Sequence, residues 1–186
     1  MTKNELRNES YRLLDEKRIP HVAGCEEEAV KLADHYGADV EKAAVAGILH
    51  DITKRLSFDE QLEMCSQYGI VNDKDELKAP KLMHAKTGAA LAREKFGIDD
   101  DIYSAIRYHT TGKPDMTLLE KIIYLADYIE PTRDFEGVEE LRALAYDDID
   151  KAMALGLKMS LEEITGKGPI PYKDTKDAYE YYKSIT

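Results

Sequence analysis

The segment TLLEKIIYLADYIEP, residues 117–131, decides how this chain is read. Thr117 is a helix cap, the apolar residues behind it recur at helical steps, and Pro131 stops the run. Inside it lies Asp127, surrounded by Ile123, Tyr124, Ala126 and Ile129, with the nearest charges at Lys121 and Glu130. A carboxylate in that setting is costly to desolvate unless it is paired or coordinates a metal. Asp127 is therefore read as a ligand rather than as a surface residue of an amphipathic helix.

Helical periodicity extends outward on both sides. Leu6, Leu13 and Leu14 predict a short amphipathic helix over residues 2–17. From His21 to Tyr36, Val22, Cys25, Ala29, Val30, Leu32, Ala33 and Tyr36 fall at three- and four-residue steps, and Gly37 supplies the stop. Asp39 caps a helix that carries AAVAGIL into His50 and Asp51. Ser57 with Glu60 makes a capping-box pattern for another, which Gly69 closes. Further helices are expected over Lys81–Phe96, from Asp99 or Asp100 to about Tyr108, from Asp147 to about Ile164, and from Asp174 or Thr175 through the tyrosine-rich end. Pro131 to Gly137, with Arg133, Asp134 and Glu136, reads as a loop, and so does GKGPIP. No β-branched alternation persists, so no strand is expected. The prediction is an all-α helical bundle, one domain over residues 1–186.

The chain has 186 residues, 43% of them apolar, which suits one sizeable core. Its 26 Lys and Arg against 37 Asp and Glu leave a formal charge of −11, which argues against nucleic acid or an anionic membrane as a partner. Cys25 and Cys65 form neither a disulfide framework nor a CxxC motif; Cys25 reads as a small core residue. The longest apolar run, Ala43–Leu49, is far shorter than the ~20 residues a membrane span needs. The polar start, MTKNELRNES, is not a secretory signal, so a cytoplasmic location is expected.

Five histidines carry most of the chemical information. His35, beside Tyr36 and Gly37, reads as an ordinary surface residue. The others, with two carboxylates, fall in the order His21, His50–Asp51, His84, His109, Asp127, separated by 29, 33, 25 and 18 residues. Such gaps place each group on a different helix, and bundle cores are where facing helices converge imidazoles and carboxylates on metal.

The words HDITK, HAKTGA, IRYHTTG and LADYIEPTRDFEGV resemble the HD superfamily of metal-dependent phosphohydrolases. More narrowly, they resemble the YqeK-type symmetrical bis(5'-nucleosyl)-tetraphosphatases of bacteria. The likeness runs from about Arg18 to Thr175. It implies an HD-domain fold, with a core over about 18–130 and C-terminal helices and a nucleotide-contacting loop over about 131–186. It also implies hydrolysis of diadenosine tetraphosphate to two ADP, at a site where His21, His50, Asp51 and Asp127 hold the primary metal. Imidazole and carboxylate without thiolate suit iron, manganese, cobalt or nickel, and the resemblance points to iron. His84 and His109 match positions that hold a second ion in some relatives and contact phosphate in others, so one ion or two remains open.

The chemistry needs a nucleophile at neutral pH, which a metal supplies by lowering the pKa of bound water; that hydroxide would attack an inner phosphorus. Asp51, Lys54, His84 and His109 are the expected catalytic group. Arg18, Lys54, His84, His109, Thr110 and Arg133 are the expected phosphate contacts. The resemblance adds Ile170, Pro171, Tyr172, Lys173, Asp174 and Thr175 as the base or ribose pocket. HDITKR has cations where guanosine-tetraphosphate hydrolases and small HD 5'-nucleotidases tend to carry a carboxylate, and the GYP word of cyclic-dinucleotide phosphodiesterases is absent. Two other readings stand beside this one: another small HD nucleotide phosphohydrolase of 5'-nucleotidase type, and a catalytically silent nucleotide-binding module. The tyrosine-rich last helix would permit a homodimer.

Overall fold

The short helix at the centre of the fold carries Ala43, Ala44, Ala46 and Gly47, small residues that let five other helices approach it. In this computed structural model, which describes residues 1–72, 74, 76–166 and 173–186, the α-helices are α1 Lys3–Tyr11, α2 Ile19–Tyr36, α3 Val40–Leu49, α4 Phe58–Gln67, α5 Met83–Phe96, α6 Asp100–Tyr108, α7 Leu118–Ile129, α8 Val138–Asp147, α9 Ile149–Gly166 and α10 Lys173–Ile185. No strand occurs among the described residues, and no helix there is long and apolar enough to cross a membrane. Central α3 packs against α1, α2, α5, α6 and α7. Ala43, Ala44, Ala46, Gly47, Ile48 and Leu49 are all buried.

Close approach is tightest where α3 meets α2. A Cβ on Gly47 would stand 2.8 Å from the Cα of Glu26, a distance that backbone cannot yield without moving the helix. Glu26 is tied in turn to α1 by Arg7, whose Nε and Nη2 donate to its carboxylate at 2.8 and 2.6 Å. Ser10 Oγ donates to the Ile48 carbonyl at 2.7 Å, satisfying one of the orphan acceptors at the end of α3. These contacts fix the helix terminus that presents His50 and Asp51.

Helix α7 is the second support. Thr117 and Glu120 form a full capping box at its start. At its end Glu130 turns to extended backbone, as a residue before proline should. Arg142 closes that end by donating to the carbonyls of Ile129, Glu130 and Arg133 at 2.8, 2.9 and 2.9 Å. Helices α8, α9 and α10 pack in succession, with α7 against α8 and α9.

Two expectations change. The opening helix ends at Tyr11 rather than near residue 17, and a 3-10 turn over Glu16–Arg18 leads into α2; Leu14 is buried between them. Residues 138–146, expected neither as helix nor as loop, form most of α8, Val138–Asp147, burying Val138, Leu141 and Ala145, and the helix expected from Asp147 begins at Ile149. Of the tyrosines in the last helix, Tyr182 lies wholly in this chain's own core and its hydroxyl accepts from the Met116 N–H at 3.0 Å.

Gly47→Ala is expected to destabilise the protein by ~1–3 kcal/mol, because overpacking at a backbone contact cannot relax through a rotamer. Urea unfolding measures it, and an unchanged midpoint would show that α2 and α3 can separate freely.

Candidate metal centre

The residues singled out above arrive from helix ends. His21 stands in the first turn of α2, His50 caps the end of α3 with Asp51 next, and His84 is the second residue of α5. His109 caps the end of α6, and Asp127 lies in the last turn of α7. The structure brings all six together. His50 and Asp51 have no solvent exposure, and His84 and His109 have 1% each.

Three of the imidazoles are oriented in the same way. His50, His84 and His109 each donate from Nδ1 to the carbonyl three residues back, of Gly47, Lys81 and Ile106, at 2.8, 2.6 and 2.7 Å. His21 Nδ1 faces Glu130 Oε1 at 2.9 Å. Carbonyl and carboxylate oxygens only accept, so each Nδ1 carries a proton and Nε2 is the atom each ring can offer to a metal. All four Nε2 atoms turn inward, with His21 and His50 3.3 Å apart and His84 and His109 3.1 Å apart. At that range each pair must share either a proton or a cation.

Carboxylates occupy the rest of the cluster. Asp127 Oδ1 is 3.0 Å from His21 Nε2 and 3.9 Å from His50 Nε2. Asp51 faces both imidazole pairs. Its Oδ2 lies 3.4 Å from His50 Nε2 and 3.7 Å from His21 Nε2, while its Oδ1 lies 3.0 Å from His84 Nε2 and 3.7 Å from His109 Nε2. Although His84 is so near, Asp51 Oδ1 is buried with no aligned hydrogen-bond donor. Two sets of donors here could hold an ion: His21, His50 and Asp127, and His50, Asp51 and His109. Inward Nε2 atoms, an orphaned carboxylate oxygen and the absence of thiolate among them fit a divalent metal ion.

Each carboxylate is backed by an arginine. Arg18 Nε and Nη2 reach Asp51 Oδ2 at 2.6 and 2.5 Å. Arg133 Nη2 reaches Asp127 Oδ1 at 2.6 Å, and its Nε donates to the Asp127 carbonyl at 2.8 Å. Lys54 Nζ stands 3.1 Å from His84 Nε2 and 3.9 Å from Asp51 Oδ1. Thr110 Oγ1, next to His109, is buried without a hydrogen-bond partner. Lys173 pairs with Asp177 at 2.6 Å, and Thr175 is buried in α10. Ile170, Pro171 and Tyr172 lie outside the described residues. His35 is exposed, its ring edge-on to Tyr36 and Tyr146, and Cys25 is buried core.

Burial alone would push Asp127 up, but the His21 and His50 rings and Arg133 outweigh it and hold the carboxyl well below its ordinary range. Burial carries His84 down to about 4, with Lys54 acting in the same direction, so the ring is neutral near pH 7. Burial likewise lowers His109. The Lys54 ammonium is also lowered, by burial and the positive charges of Arg18 and Arg133, against the pull of Asp51 and Asp127.

Sequence reasoning missed Glu130, which it counted only as a nearby charge. Glu130 is wholly buried and orients His21; Thr132 donates to it from its backbone N–H at 2.7 Å and from its hydroxyl at 2.5 Å. A Cβ on Gly24 would stand 2.5 Å from Glu130 Oε2, so glycine there leaves room for the carboxylate. The signal was its place three residues after Asp127, which puts both on neighbouring faces of one helix end.

Comparison with known proteins follows the same residues. The HD domain family model matches residues 18–132. The chain is 39% identical over 178 residues to the symmetrical bis(5'-nucleosyl)-tetraphosphatase of Bacillus subtilis, covering 92% of each chain. It is 44% identical over 171 residues to the protein of that name from Halalkalibacterium halodurans, covering 89% of each. Its fold matches the crystal structure of a "predicted HD superfamily hydrolase involved in NAD metabolism" from Clostridium acetobutylicum with a TM-score of 0.96, at 38% identity, covering 100% of this chain and 99% of that one.

Glu130→Gln is expected to weaken divalent-metal binding by about tenfold to a hundredfold while leaving the helical fold intact, since the partner of a ligating imidazole sets its orientation and basicity. Cobalt titration of the metal-free protein reads this, and an unchanged affinity would exclude the role. The metal-free protein is also expected to lose stability as pH falls from about 6.5 towards 4. The unfolded chain protonates His84 there and the folded one does not, a loss on the order of 3 kcal/mol. Thermal melts across that range measure it; a flat profile would contradict it.

Proposed function

The chain belongs to the HD domain family, and within it to the symmetrical bis(5'-nucleosyl)-tetraphosphatases; on that premise we propose that it hydrolyses diadenosine tetraphosphate into two ADP. The observation that carries this reading is the buried convergence of four inward imidazole nitrogens and two carboxylates, ringed by Arg18, Lys54 and Arg133. A site of that composition serves a polyanionic substrate on a chain whose net charge of −11 would otherwise repel it.

His21, His50, Asp51 and Asp127 would hold the primary ion, proposed to be iron, with manganese, cobalt or nickel as substitutes. Asp51 Oδ1, His84 and His109, which lie together on the other side of Asp51 from Asp127, would hold a second ion or a phosphate. When bound, the metal supplies an activated water at neutral pH and neutralises phosphate charge. Residues of the chain do the rest. Arg18 spends two of its N–H-bearing nitrogens on the Asp51 carboxylate, and Arg133 spends one on the Asp127 carboxylate and one on the Asp127 carbonyl, which orients each guanidinium while leaving further N–H groups for phosphate oxygens. Lys54, 3.1 Å from His84 Nε2, would stabilise the departing diphosphate of one ADP as the central P–O bond breaks. Thr110 offers its hydroxyl to the same phosphates, and Lys173, Asp174 and Thr175, with the 170–172 segment before them, would border the nucleoside. The expected place of action is the cytoplasm.

Ion-exchange chromatography of the products tests the proposal. With protein purified without chelator, ADP is expected as the sole product, lost on chelation and restored by iron(II). ATP with AMP would overturn the symmetric cut, and nucleoside with phosphate would favour a nucleotidase. Asp51→Ala should abolish activity and strip metal from a folded protein; full activity would remove Asp51 from the site. Arg133→Ala should raise KM about tenfold with a smaller change in kcat, because its contacts are made before and during the reaction alike.

A further inference from the structure

Two openings flank the metal cluster, and their chemistry differs. Followed through its contacts, the cluster runs from Asp127 through His21 and His50 to Asp51, and on to His84 and His109. At the Asp127 end lies a cavity of about 700 Å³, lined by Asp127, Tyr128, Arg133 and Phe135 together with three glutamates. At the His84 end lies a groove of about 170 Å³ between the start of α4 and the start of α5, lined by Lys54, Phe58, Gln61, Pro80, Lys81 and His84.

Among the described residues no carboxylate lines the groove, and two lysines do, Lys54 and Lys81. Gln61 is not free to read a ligand: its amide donates to the Thr53 carbonyl at 2.8 Å and its oxygen accepts from Thr87 Oγ1 at 2.5 Å, so it forms a fixed floor. Phe58, the first residue of α4, is 36% exposed and is one of the few large apolar side chains left in solvent. The far wall is the Pro80–Leu82 turn, whose Lys81 carbonyl accepts from His84 Nδ1. One short turn therefore shapes the groove and sets the imidazole beside it.

A molecule cut at its midpoint must place an equal half on each side of the P–O bond that breaks. The proposal below rests on the symmetric reading above. We propose that the Phe58–Pro80 groove binds the second adenosine of the dinucleoside tetraphosphate, with Phe58 as the stacking platform for its base and Lys54 and Lys81 following its phosphates. The larger cavity at the Asp127 end takes the other half. Base stacking on an exposed aromatic is worth a contact of the size that decides register, and it needs no sequence of polar readers.

Phe58→Ala tests this without disturbing the cluster, since alanine preserves the helix start and Ser57 remains its cap. In the metal-loaded enzyme, kcat/KM is compared for diadenosine tetraphosphate and for adenosine tetraphosphate, which lacks the second nucleoside. The ratio of the two is expected to fall about tenfold in the variant; an unchanged ratio overturns the subsite. A second readout needs no turnover: equilibrium binding of a methylene-bridged, non-hydrolysable diadenosine tetraphosphate should weaken about tenfold in Phe58→Ala and also in Lys81→Gln. If wild-type protein binds the analogue through Phe58 but does not cleave the substrate, the groove stands and the proposed activity fails. If it cleaves the substrate to ADP and neither readout depends on Phe58, the activity stands and the groove fails. If it neither binds nor cleaves, both fail.

Discussion

Asp51 is a carboxylate with no solvent exposure at the centre of a helical protein, and much of the surrounding architecture follows from the cost of placing it there. An isolated buried charge is strongly unfavourable unless it is paired or coordinated. Arg18 reaches its Oδ2, two imidazoles stand against each oxygen, and Oδ1 still lacks an aligned donor. The protein alone leaves that site incompletely compensated. A cation completes it, and so metal binding and folding of this core are linked in one free energy.

The helices deliver ligands in a manner suited to that demand. Three of the four imidazoles are anchored by a carbonyl of their own preceding turn, so local contacts set their orientation. Tertiary packing then needs only to bring helix ends together. It does so through α3, whose small residues admit neighbours on every side, and through Gly47, where the α2 and α3 backbones all but touch. His21 is the exception. Its anchor is Glu130, 109 residues away, held in turn by Thr132 and by the Arg142 closure of α7.

Helix positions were largely legible because caps and stops are local: Thr117 with Glu120, Ser57 with Glu60, Asp39 and Asp99 all cap as their residue types predict. Most of α8 was missed although Val138, Leu141 and Ala145 carry a helical spacing. It has no side-chain cap, and Gly137 before it adopts a left-handed conformation that reads in sequence as part of the preceding turn. The opening helix was overextended because Leu13 and Leu14 continue its pattern, yet the chain turns after Tyr11 so that Leu14 can be buried.

By itself the sequence determined the all-α class, the identity of the six clustered residues and the absence of a CxxC motif, because residue chemistry, periodicity and order along the chain are local properties. Only the tertiary structure decided that Asp51 faces both imidazole pairs, that Arg18 and Arg133 lie on Asp51 and Asp127, that Glu130 orients His21, and that two unlike openings flank the cluster. Those facts depend on which atoms of distant segments fall within about 3 Å of one another. That is settled by how helices of given shape pack, and no spacing within a single segment records it.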